Sequence, residues 1–191
     1  PSIYIEGRYE EERSTPLCVR SQLWWSFLGG SVGHVFGNKR IWRFDPDWRD
    51  ALATPGTRAM TVASRLLGRL DGSEVLEPVG PAATPLRVSR GPSAARRLAT
   101  WPVPLGLAWA TLTAADDRVP VAGSTRTTVA YLPWPTRFEY RGHHPVRCWI
   151  HPVTGAIRAA AGDPATLSSP DRGDWLFVAE ASTRVCSGDQ L

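Results

Sequence analysis

The sequence predicts an α/β segment over residues 1–72, a proline-rich connection over residues 73–104 and an all-β sandwich over residues 105–185. Up to Gly72, strand-like and helix-period segments alternate, which is the pattern of a parallel sheet with crossover helices. After Leu105, short runs are separated by turn residues, which is typical of a β-sandwich. The 191 residues suffice for one large core or two small ones, and residues 186–191 are expected to form a tail.

The first element is a short β-prone run, Ile3 to Ile5, which ends at Glu6. Catalytic side chains of a β/α barrel lie at the C-terminal ends of its strands, so an acid at this point is a candidate catalytic residue. The alternative is that Glu6 is one of 18 Asp and Glu residues and is merely solvated. The chain opens at Pro1 without an initiator Met, and we expect it to be the C-terminal piece of a longer protein.

Two helices are predicted by the same device, a threonine N-cap followed by proline at the first helical position. Thr15 precedes a helix over Leu17–Leu28, which a pair of glycines ends. Thr54 precedes a second helix over Thr57–Leu70, in which apolar residues recur at helical spacing. Between the two helices, Gly33–Gly37 is long enough for one barrel strand. The order is therefore strand, helix, strand, helix.

The second half contains a series of short candidate strands. They are predicted at Leu107–Thr113, Thr127–Leu132, Val146–His151, Ala156–Ala160 and Trp175–Ala179. Alternate residues of a strand share one face, so Val146, Cys148 and Ile150 are expected to lie on the same side. Pro152–Gly155 has the composition of a hairpin turn. The connection itself holds one candidate strand near Glu74–Val79.

The basic composition does not indicate a nucleic-acid partner. The formal net charge is +4, but Lys39 is the only lysine and the arginines are scattered, with no run longer than Arg96-Arg97. Nucleic-acid-binding surfaces cluster their basic residues, and RNA-binding motifs combine them with aromatic ones. No apolar span is long enough for a membrane helix, so no membrane partner is expected either.

The three cysteines, Cys18, Cys148 and Cys186, have no metal-ligand spacing, and we predict neither a metal nor a cofactor. The odd count leaves at least one thiol unpaired within the chain. Cys148 and Cys186 can form a disulfide if their strands are neighbours, whereas buried free thiols are the alternative that we favour.

Several segments together carry a resemblance to a known family. In the first half they are Glu6–Glu10, Val19-Arg20, Trp24-Trp25, Gly33–Gly37, Ile41-Trp42 and Pro55-Gly56. In the second half they are Tyr131–Pro133, Pro152–Gly155 and Gly173–Trp175. With these segments in this order, the chain resembles the C-terminal part of the apiosidase-like glycoside hydrolases. In that family a (β/α)8 catalytic barrel precedes a small β-sandwich that is labelled a collagen-binding domain. The resemblance implies an α/β barrel remnant, its last two β/α units, followed by the sandwich.

The resemblance implies a retaining glycoside hydrolase that acts on O-glycosidic bonds of a plant or microbial polysaccharide. Ile3 to Ile5 would be the seventh barrel strand and Gly33–Gly37 the eighth, and Glu6 would match the catalytic nucleophile. Retaining enzymes need a second carboxyl group as acid and base, and the resemblance places it on an earlier strand outside this chain. The expected partners are therefore a carbohydrate substrate and the missing N-terminal part of the same barrel. The isolated chain is expected to be inactive.

Three further residues are expected to bind the sugar. Tyr9 would line the sugar site or contact the nucleophile, His34 would bind a hydroxyl, and Trp42 would stack on a ring. Ordinary packing in a loop or in the core is the alternative for each of them. Arg20 is expected to be a structural anchor in its helix.

The chain departs from the family pattern at a few positions, and a rival hypothesis remains open. Gly7 replaces a proline, Val35 and Phe36 replace threonine and tyrosine, and His151 replaces an aspartate at the start of the sandwich hairpin turn. The rival is a carbohydrate- or collagen-binding module without catalytic activity. Its exposed aromatic strip would consist of Trp134, Trp149 and Trp175, although we expect these tryptophans to fill the core.

Overall fold

A computed structural model describes residues 5–9, 12–70, 75–90 and 119–191. The predicted strand Leu107–Thr113 lies outside the described residues. The α-helices are Pro16–Leu28 (α1), Lys39–Arg43 (α2) and Pro55–Arg69 (α3), and short 3-10 helices cover Asp50–Ala53 and Pro164–Thr166. Among these described helices, none is long and apolar enough to cross a membrane.

The two long helices begin where their threonine caps predict. The Oγ1 atom of Thr15 accepts a hydrogen bond from the backbone N–H of Cys18 at 3.2 Å, and Gly29 follows the last residue of α1. At the start of α3, Thr54 accepts in the same way from the N–H of Thr57 at 3.4 Å. Each cap satisfies one of the backbone donors that a helix start leaves unpaired.

The first sheet has three strands in the order β2-β1-β3, with bounds Ile5–Tyr9 (β1), Glu12–Ser14 (β2) and Gly37–Asn38 (β3). β1 and β2 form an antiparallel hairpin, whereas β1 and β3 run parallel. The connection from β1 to β3 contains α1, as a parallel pair requires. The strand, helix, strand order of the first half is therefore confirmed.

Both predicted strands of this sheet have the wrong bounds. β1 does not stop at Glu6, because Gly7–Tyr9 continues as the partner of β2. The other strand is not Gly33–Gly37 but only Gly37–Asn38, since Asn38 already caps the next helix. That helix, α2, was not predicted.

Two further sheets make up the second half, and every strand pair in them is antiparallel. The larger sheet has the order β10-β9-β12-β7-β6-β4. Its strands are Glu77–Pro78 (β4), Val121–Gly123 (β6), Thr127–Leu132 (β7), Val146–Ile150 (β9), Ile157–Ala159 (β10) and Trp175–Glu180 (β12). The smaller sheet, in the order β11-β8-β5, consists of Leu86–Arg90 (β5), Arg137–Tyr140 (β8) and Leu167–Ser168 (β11).

The larger sheet is covered on both faces. Along β12, Leu176 and Val178 belong to an apolar cluster with Trp24 of α1 and Leu66 of α3. The alternate residue Phe177 belongs to a second cluster, which lies between the two sheets. All six residues of β12 are consequently buried, as are all six of β7. Alternation along a strand normally separates a core face from a solvent face, but here each face has its own core.

The cluster between the two sheets is aromatic. The ring of Phe138 in β8 lies 5.9 Å from that of Trp149 and 5.2 Å from that of Phe177, in both cases edge to face. Tyr140 makes a similar contact with Phe177 at 5.3 Å. Trp175 is fully buried in the same cluster, as predicted. Edge-to-face geometry is the arrangement that aromatic pairs prefer.

Part of the proline-rich connection belongs to these sheets. Glu77–Pro78 pairs with β6 in the larger sheet, and Leu86–Arg90 pairs with β8 in the smaller one. The absence of a helical period in this stretch is correct, but the described part of it supplies strands from both sheets. The strand predicted near Glu74–Val79 corresponds to β4.

Cys148 and Cys186 form a disulfide, so the favoured expectation of free thiols is wrong for these two residues. The chain turns back after β12 and brings Cys186 beside β9, the strand that holds Cys148. Cys18 is buried and is not part of this disulfide. Cys186 lies in the turn after β12 rather than on a strand, and the pairing of β12 with β9 brings that turn beside Cys148.

The last residues form part of the fold rather than a loose tail. Arg69 of α3 donates hydrogen bonds to the backbone carbonyls of Val185, Ser187 and Gln190 at 3.3, 3.1 and 2.9 Å. Leu191 packs against Gly155, whose φ of 72° is favourable for glycine. The end of the described chain thus joins α3 to the β9–β10 hairpin.

A buried ion pair joins α1 to the larger sheet. The guanidinium of Arg20 donates two hydrogen bonds of 2.8 Å to the carboxylate of Asp174, the residue before β12. The Tyr131 hydroxyl donates to the same carboxylate at 2.9 Å and lies 3.2 Å from the Ser21 hydroxyl. Burial and the Asp174 charge raise the pKa of Tyr131 well above its ordinary value. Arg20 therefore has the anchoring position that the sequence suggested.

Removal of Arg20 should destabilise the protein strongly. In Arg20→Ala the Asp174 carboxylate stays buried without its partner, and we expect the free energy of unfolding to fall by about 3–5 kcal/mol. The control is Arg40→Ala, which breaks the pair between Arg40 and Asp47, also 2.8 Å long but half exposed. That change should cost at most about 1 kcal/mol. Urea denaturation measures both, and equal losses would contradict the assignment.

His151 closes the β9–β10 turn in place of the expected aspartate. Its Nδ1 atom accepts hydrogen bonds from the backbone N–H groups of Val153 and Thr154, each at 3.2 Å. A carboxylate accepts from the same groups in an Asx turn. Nδ1 can accept only while it carries no proton, and burial lowers the pKa of His151. Asp174 and Asp171 oppose this shift, whereas Arg20 and Arg158 add to it.

Acidification should weaken the wild-type fold through this histidine. Because the pKa of His151 is lower in the folded state, the unfolded state binds the proton more readily. The stability contribution is complete above the ordinary pKa of about 6.5 and is lost as the pH falls below it towards the folded-state pKa. His151→Asp keeps the turn and removes this titration. Unfolding free energies at pH 7.5, 6.5 and 5.5 should therefore fall less in the variant, and parallel curves would disprove the role.

Candidate active site

The candidate site lies where the parallel strands β1 and β3 end. Ile5 pairs with Gly37 and Glu6 with Asn38, after which β1 pairs only with β2. Glu6 is therefore the last residue of β1 in the parallel ladder, although the strand itself runs on to Tyr9. The carboxyl ends of parallel strands meet at one edge of a sheet, and in β/α barrels this edge carries the chemistry.

Asn38 fixes the start of α2 at this edge. It is 6% exposed, its Oδ1 atom accepts from the N–H of Arg40 at 3.1 Å, and its Nδ2 atom lies 3.5 Å from the Oγ1 atom of Thr54. Thr54 is itself the N-cap of α3. One buried amide thus connects the end of β3 with the starts of two helices.

His34 lies before β3, not inside a strand as predicted. It belongs to the segment between α1 and β3 and is half-buried. Its Nε2 atom is buried and has no hydrogen-bond partner among the described residues. Burial lowers the pKa of His34, so the imidazole is neutral at pH 7. A neutral ring can donate to or accept from a hydroxyl group.

Trp42 and Tyr9 belong to different elements. Trp42 is on α2, the helix that follows β3 and lies beside β1, and its side chain is 61% exposed. Tyr9 is the last residue of β1 and pairs with Glu12 of β2, away from the parallel ladder. The backbone thus brings Glu6 next to the β3–α2 junction that leads to Trp42, whereas Tyr9 is three residues further along its strand.

Two more aromatic residues follow α2. Phe44 has φ 52° and ψ 40°, a left-handed conformation that costs a bulky residue about 1–2 kcal/mol. Its ring lies 6.2 Å from that of Trp48, edge to face, and the Arg49 guanidinium lies 4.5 Å from the centre of the Trp48 ring. Phe44 is 75% exposed. Together with Trp42, these residues give the loop after β3 an aromatic surface.

Among the described parts of the chain, no group of three or more His, Cys, Asp and Glu residues could hold a metal ion. The carboxyl end of the parallel pair carries Glu6 and leads to the exposed Trp42, whereas the neutral imidazole of His34 precedes β3. These are the groups that a sugar-binding site uses for acid–base chemistry, hydroxyl contacts and ring stacking.

Comparisons with known proteins bear on the fold of this chain. A family model for the apiosidase-like catalytic domain matches residues 2–73. The structure is similar to that of a glycoside hydrolase family 5 protein from Bacteroides vulgatus, with a TM-score of 0.65 at 16% sequence identity. The fold is glycoside hydrolase-like. A second structure, named only as a glycoside hydrolase, has a TM-score of 0.63 at 17% identity.

The solved structures are much longer than this chain. The similarity covers 95% of this chain and 40% of the Bacteroides vulgatus protein, and 91% of this chain and 38% of the second protein. The chain therefore spans about two fifths of the length of these structures. Comparison with curated protein sequences found no significant match.

The tryptophans expected for a binding module are not on the surface. Trp149 is 4% exposed, Trp175 is fully buried, and Trp134 is half-buried. The Nε1–H group of Trp175 donates to the carboxylate of Asp171 at 2.9 Å, and this hydrogen bond lowers the pKa of Asp171. The expected alternative role, filling the core, is confirmed for Trp149 and Trp175.

The sequence did not identify Asn38 and Phe44, which lie at the two ends of α2. Asn38 precedes a short helix, and asparagine is among the preferred N-cap residues, so its role could have been found. Phe44 gave no comparable signal, because phenylalanine rarely adopts the left-handed conformation. The α2 helix has only five residues, too few for a periodic pattern.

Loss of the Asn38 cap should loosen the edge. Asn38→Ala removes the acceptor for the Arg40 N–H, and we expect the free energy of unfolding to fall by about 1 kcal/mol. Asn38→Ser keeps a neutral capping oxygen and should recover most of that loss. Chemical denaturation of the two variants and the wild type tests this. If serine is as harmful as alanine, the cap is not what stabilises the junction.

Proposed function

We propose that this chain is the C-terminal part of a retaining glycoside hydrolase that cleaves O-glycosidic bonds of a plant or microbial polysaccharide. The observation that carries the proposal is the position of Glu6. It is the last β1 residue in the parallel ladder with β3, within the region that matches the apiosidase-like catalytic domain. Catalytic carboxylates of barrel hydrolases lie at the C-terminal ends of the parallel strands, and the parallel pairing of β1 ends at Glu6.

In the proposed reaction Glu6 is the nucleophile. Its carboxylate attacks the anomeric carbon, the bond from that carbon to the leaving oxygen breaks, and a second carboxyl group protonates that oxygen. The same second group then takes a proton from water, whose oxygen attacks the anomeric carbon and releases Glu6. The two carboxyl groups of a retaining enzyme are about 5–5.5 Å apart. We propose that the second one lies on an earlier barrel strand outside this chain.

We propose that Tyr9, His34 and Trp42 bind the sugar. The buried Nε2 atom of His34 has no partner in the described part of the chain, which suits a contact with a substrate hydroxyl. The exposed indole of Trp42 suits stacking on a ring. The missing N-terminal part of the barrel would complete the site, and without it the isolated chain should be inactive.

We propose that the second half is an accessory β-sandwich that supports the barrel. Its larger sheet packs against α1 and α3, the helices that follow β1 and β3. Because Trp149 and Trp175 are buried, nothing in this aromatic set favours a separate polysaccharide-binding face. Support of the strand edge therefore fits the contacts better than independent binding of carbohydrate or collagen.

Substitution of Glu6 tests the proposal in the longer protein that contains the whole barrel. Glu6→Gln should lower kcat by several orders of magnitude, since the covalent route is lost, while stability changes by only about 0.5 kcal/mol. Glu6→Ala with added azide should regain turnover and give a glycosyl azide of inverted configuration, because azide occupies the place of the carboxylate.

The matched control is Glu10→Gln, a nearby acid to which we assign no catalytic role. It should keep wild-type turnover on the same aryl glycoside. Wild-type activity of Glu6→Gln, or hydrolysis by the 191-residue chain alone that survives this substitution, would reject the assignment.

A further inference from the structure

Phe44 occupies an unfavourable backbone position without gaining burial from it. It is the one non-glycine residue with positive φ among the residues that the structure describes. It ends α2, where a left-handed residue is usually glycine or asparagine. Three quarters of its side chain is exposed, so packing offsets little of the backbone strain. Strain of this kind is concentrated at functional sites, which makes Phe44 a candidate for a role beyond the fold.

Hydrogen bonds and an ion pair fix the conformation of the loop that carries Phe44. The N–H groups of Phe44 and Asp45 donate to the carbonyls of Ile41 and Arg40 at 3.2 and 3.1 Å. The N–H of Trp48 donates to the carbonyl of Asp45 at 2.9 Å, which closes the next turn. The ion pair between Arg40 and Asp47 spans the same loop. The exposed Phe44 ring and the half-buried Trp48 ring are thus pre-organised, and little conformational entropy would be lost when they bind a ligand.

The place of this loop connects it to the candidate active site. α2 begins directly after Asn38, the register partner of Glu6, and lies beside β1. Phe44 follows α2 directly, so the aromatic pair comes after Trp42 on the segment that begins at the end of β3.

We propose that Phe44 and Trp48 form a second stacking surface, which binds a sugar ring of the polysaccharide beyond the ring next to the scissile bond. This inference rests on the proposed function and names a specificity-determining pair for it. Aromatic rings suit the C–H faces of sugars, and the Arg49 guanidinium on Trp48 keeps N–H donors for the hydroxyls. The pair would select chains of several sugars over single residues.

Affinity electrophoresis of the 191-residue chain tests the proposal. Native gels contain arabinoxylan, hydroxyethylcellulose or pectin, one polysaccharide per gel, and wild type should be retarded in at least one. Phe44→Asn removes the ring but tolerates the left-handed conformation. It should weaken the retardation at least about tenfold in affinity, while its thermal midpoint stays equal or rises. Phe44→Tyr keeps the ring and should bind as wild type does.

The control for apolar area is Leu52→Ala, because Leu52 is half exposed and follows the pair closely along the chain but has no ring. It should leave the retardation unchanged. Any of three results would overturn the proposal: no retardation of wild type in any gel, unchanged binding in Phe44→Asn, or a change of oligomeric state in that variant. The last result would mean that the rings belong to a protein interface.

The Glu6→Gln variant separates this proposal from the function on which it rests. If Glu6→Gln abolishes hydrolysis and Phe44→Asn still binds, the hydrolase assignment stands and the second surface is wrong. If Phe44→Asn loses binding while Glu6→Gln keeps full activity in the longer protein, the surface is real but Glu6 is not the nucleophile.

Discussion

The buried pair between Arg20 and Asp174 holds the two halves of the molecule in one arrangement. Removing two charges from water is costly, and only good geometry with further hydrogen bonds offsets that cost. Here the contact is bidentate and Tyr131 satisfies another acceptor site of the carboxylate. Few other positions of α1 are compatible with this ion pair, because any shift of α1 along the sheet would leave a charge unpaired. The pair therefore specifies position as much as it contributes stability.

The position of α1 relative to the larger sheet also positions the elements of the candidate site. α1 connects β1 to β3 and packs together with α3 on the larger sheet. Asn38 and Thr54 then join the end of β3 to the starts of α2 and α3. The strand edge that carries Glu6 is thus braced from outside by an antiparallel sheet. The loop after α2 can keep Phe44 in a strained conformation because backbone hydrogen bonds and the Arg40–Asp47 ion pair fix the residues around it.

The features that local sequence determines were predictable, and those that depend on distant contacts were not. Thr15 and Thr54 marked their helices correctly because a cap and a following proline act within one turn. Strand β7 was predicted with its correct bounds, Thr127–Leu132. By contrast, β1 continues past Glu6 only because β2 pairs with it, and Leu86–Arg90 is a strand only because β8 lies beside it. His151 as a turn cap needed the hydrogen bonds themselves, since histidine is not a usual turn residue.

The disulfide between Cys148 and Cys186 gives the second half a dependence on its chemical surroundings. The two residues are 38 positions apart, and closing a loop of that length in the unfolded chain stabilises the folded state by about 4 kcal/mol in the chain-entropy model. This contribution exists only where thiols become oxidised. A reductant would remove this stabilisation without changing any residue of the strand edge. β9 and the turn after β12 would be the first parts to lose stability. The strength of the support behind the candidate site is therefore set in part by redox potential, a property of the compartment rather than of the site.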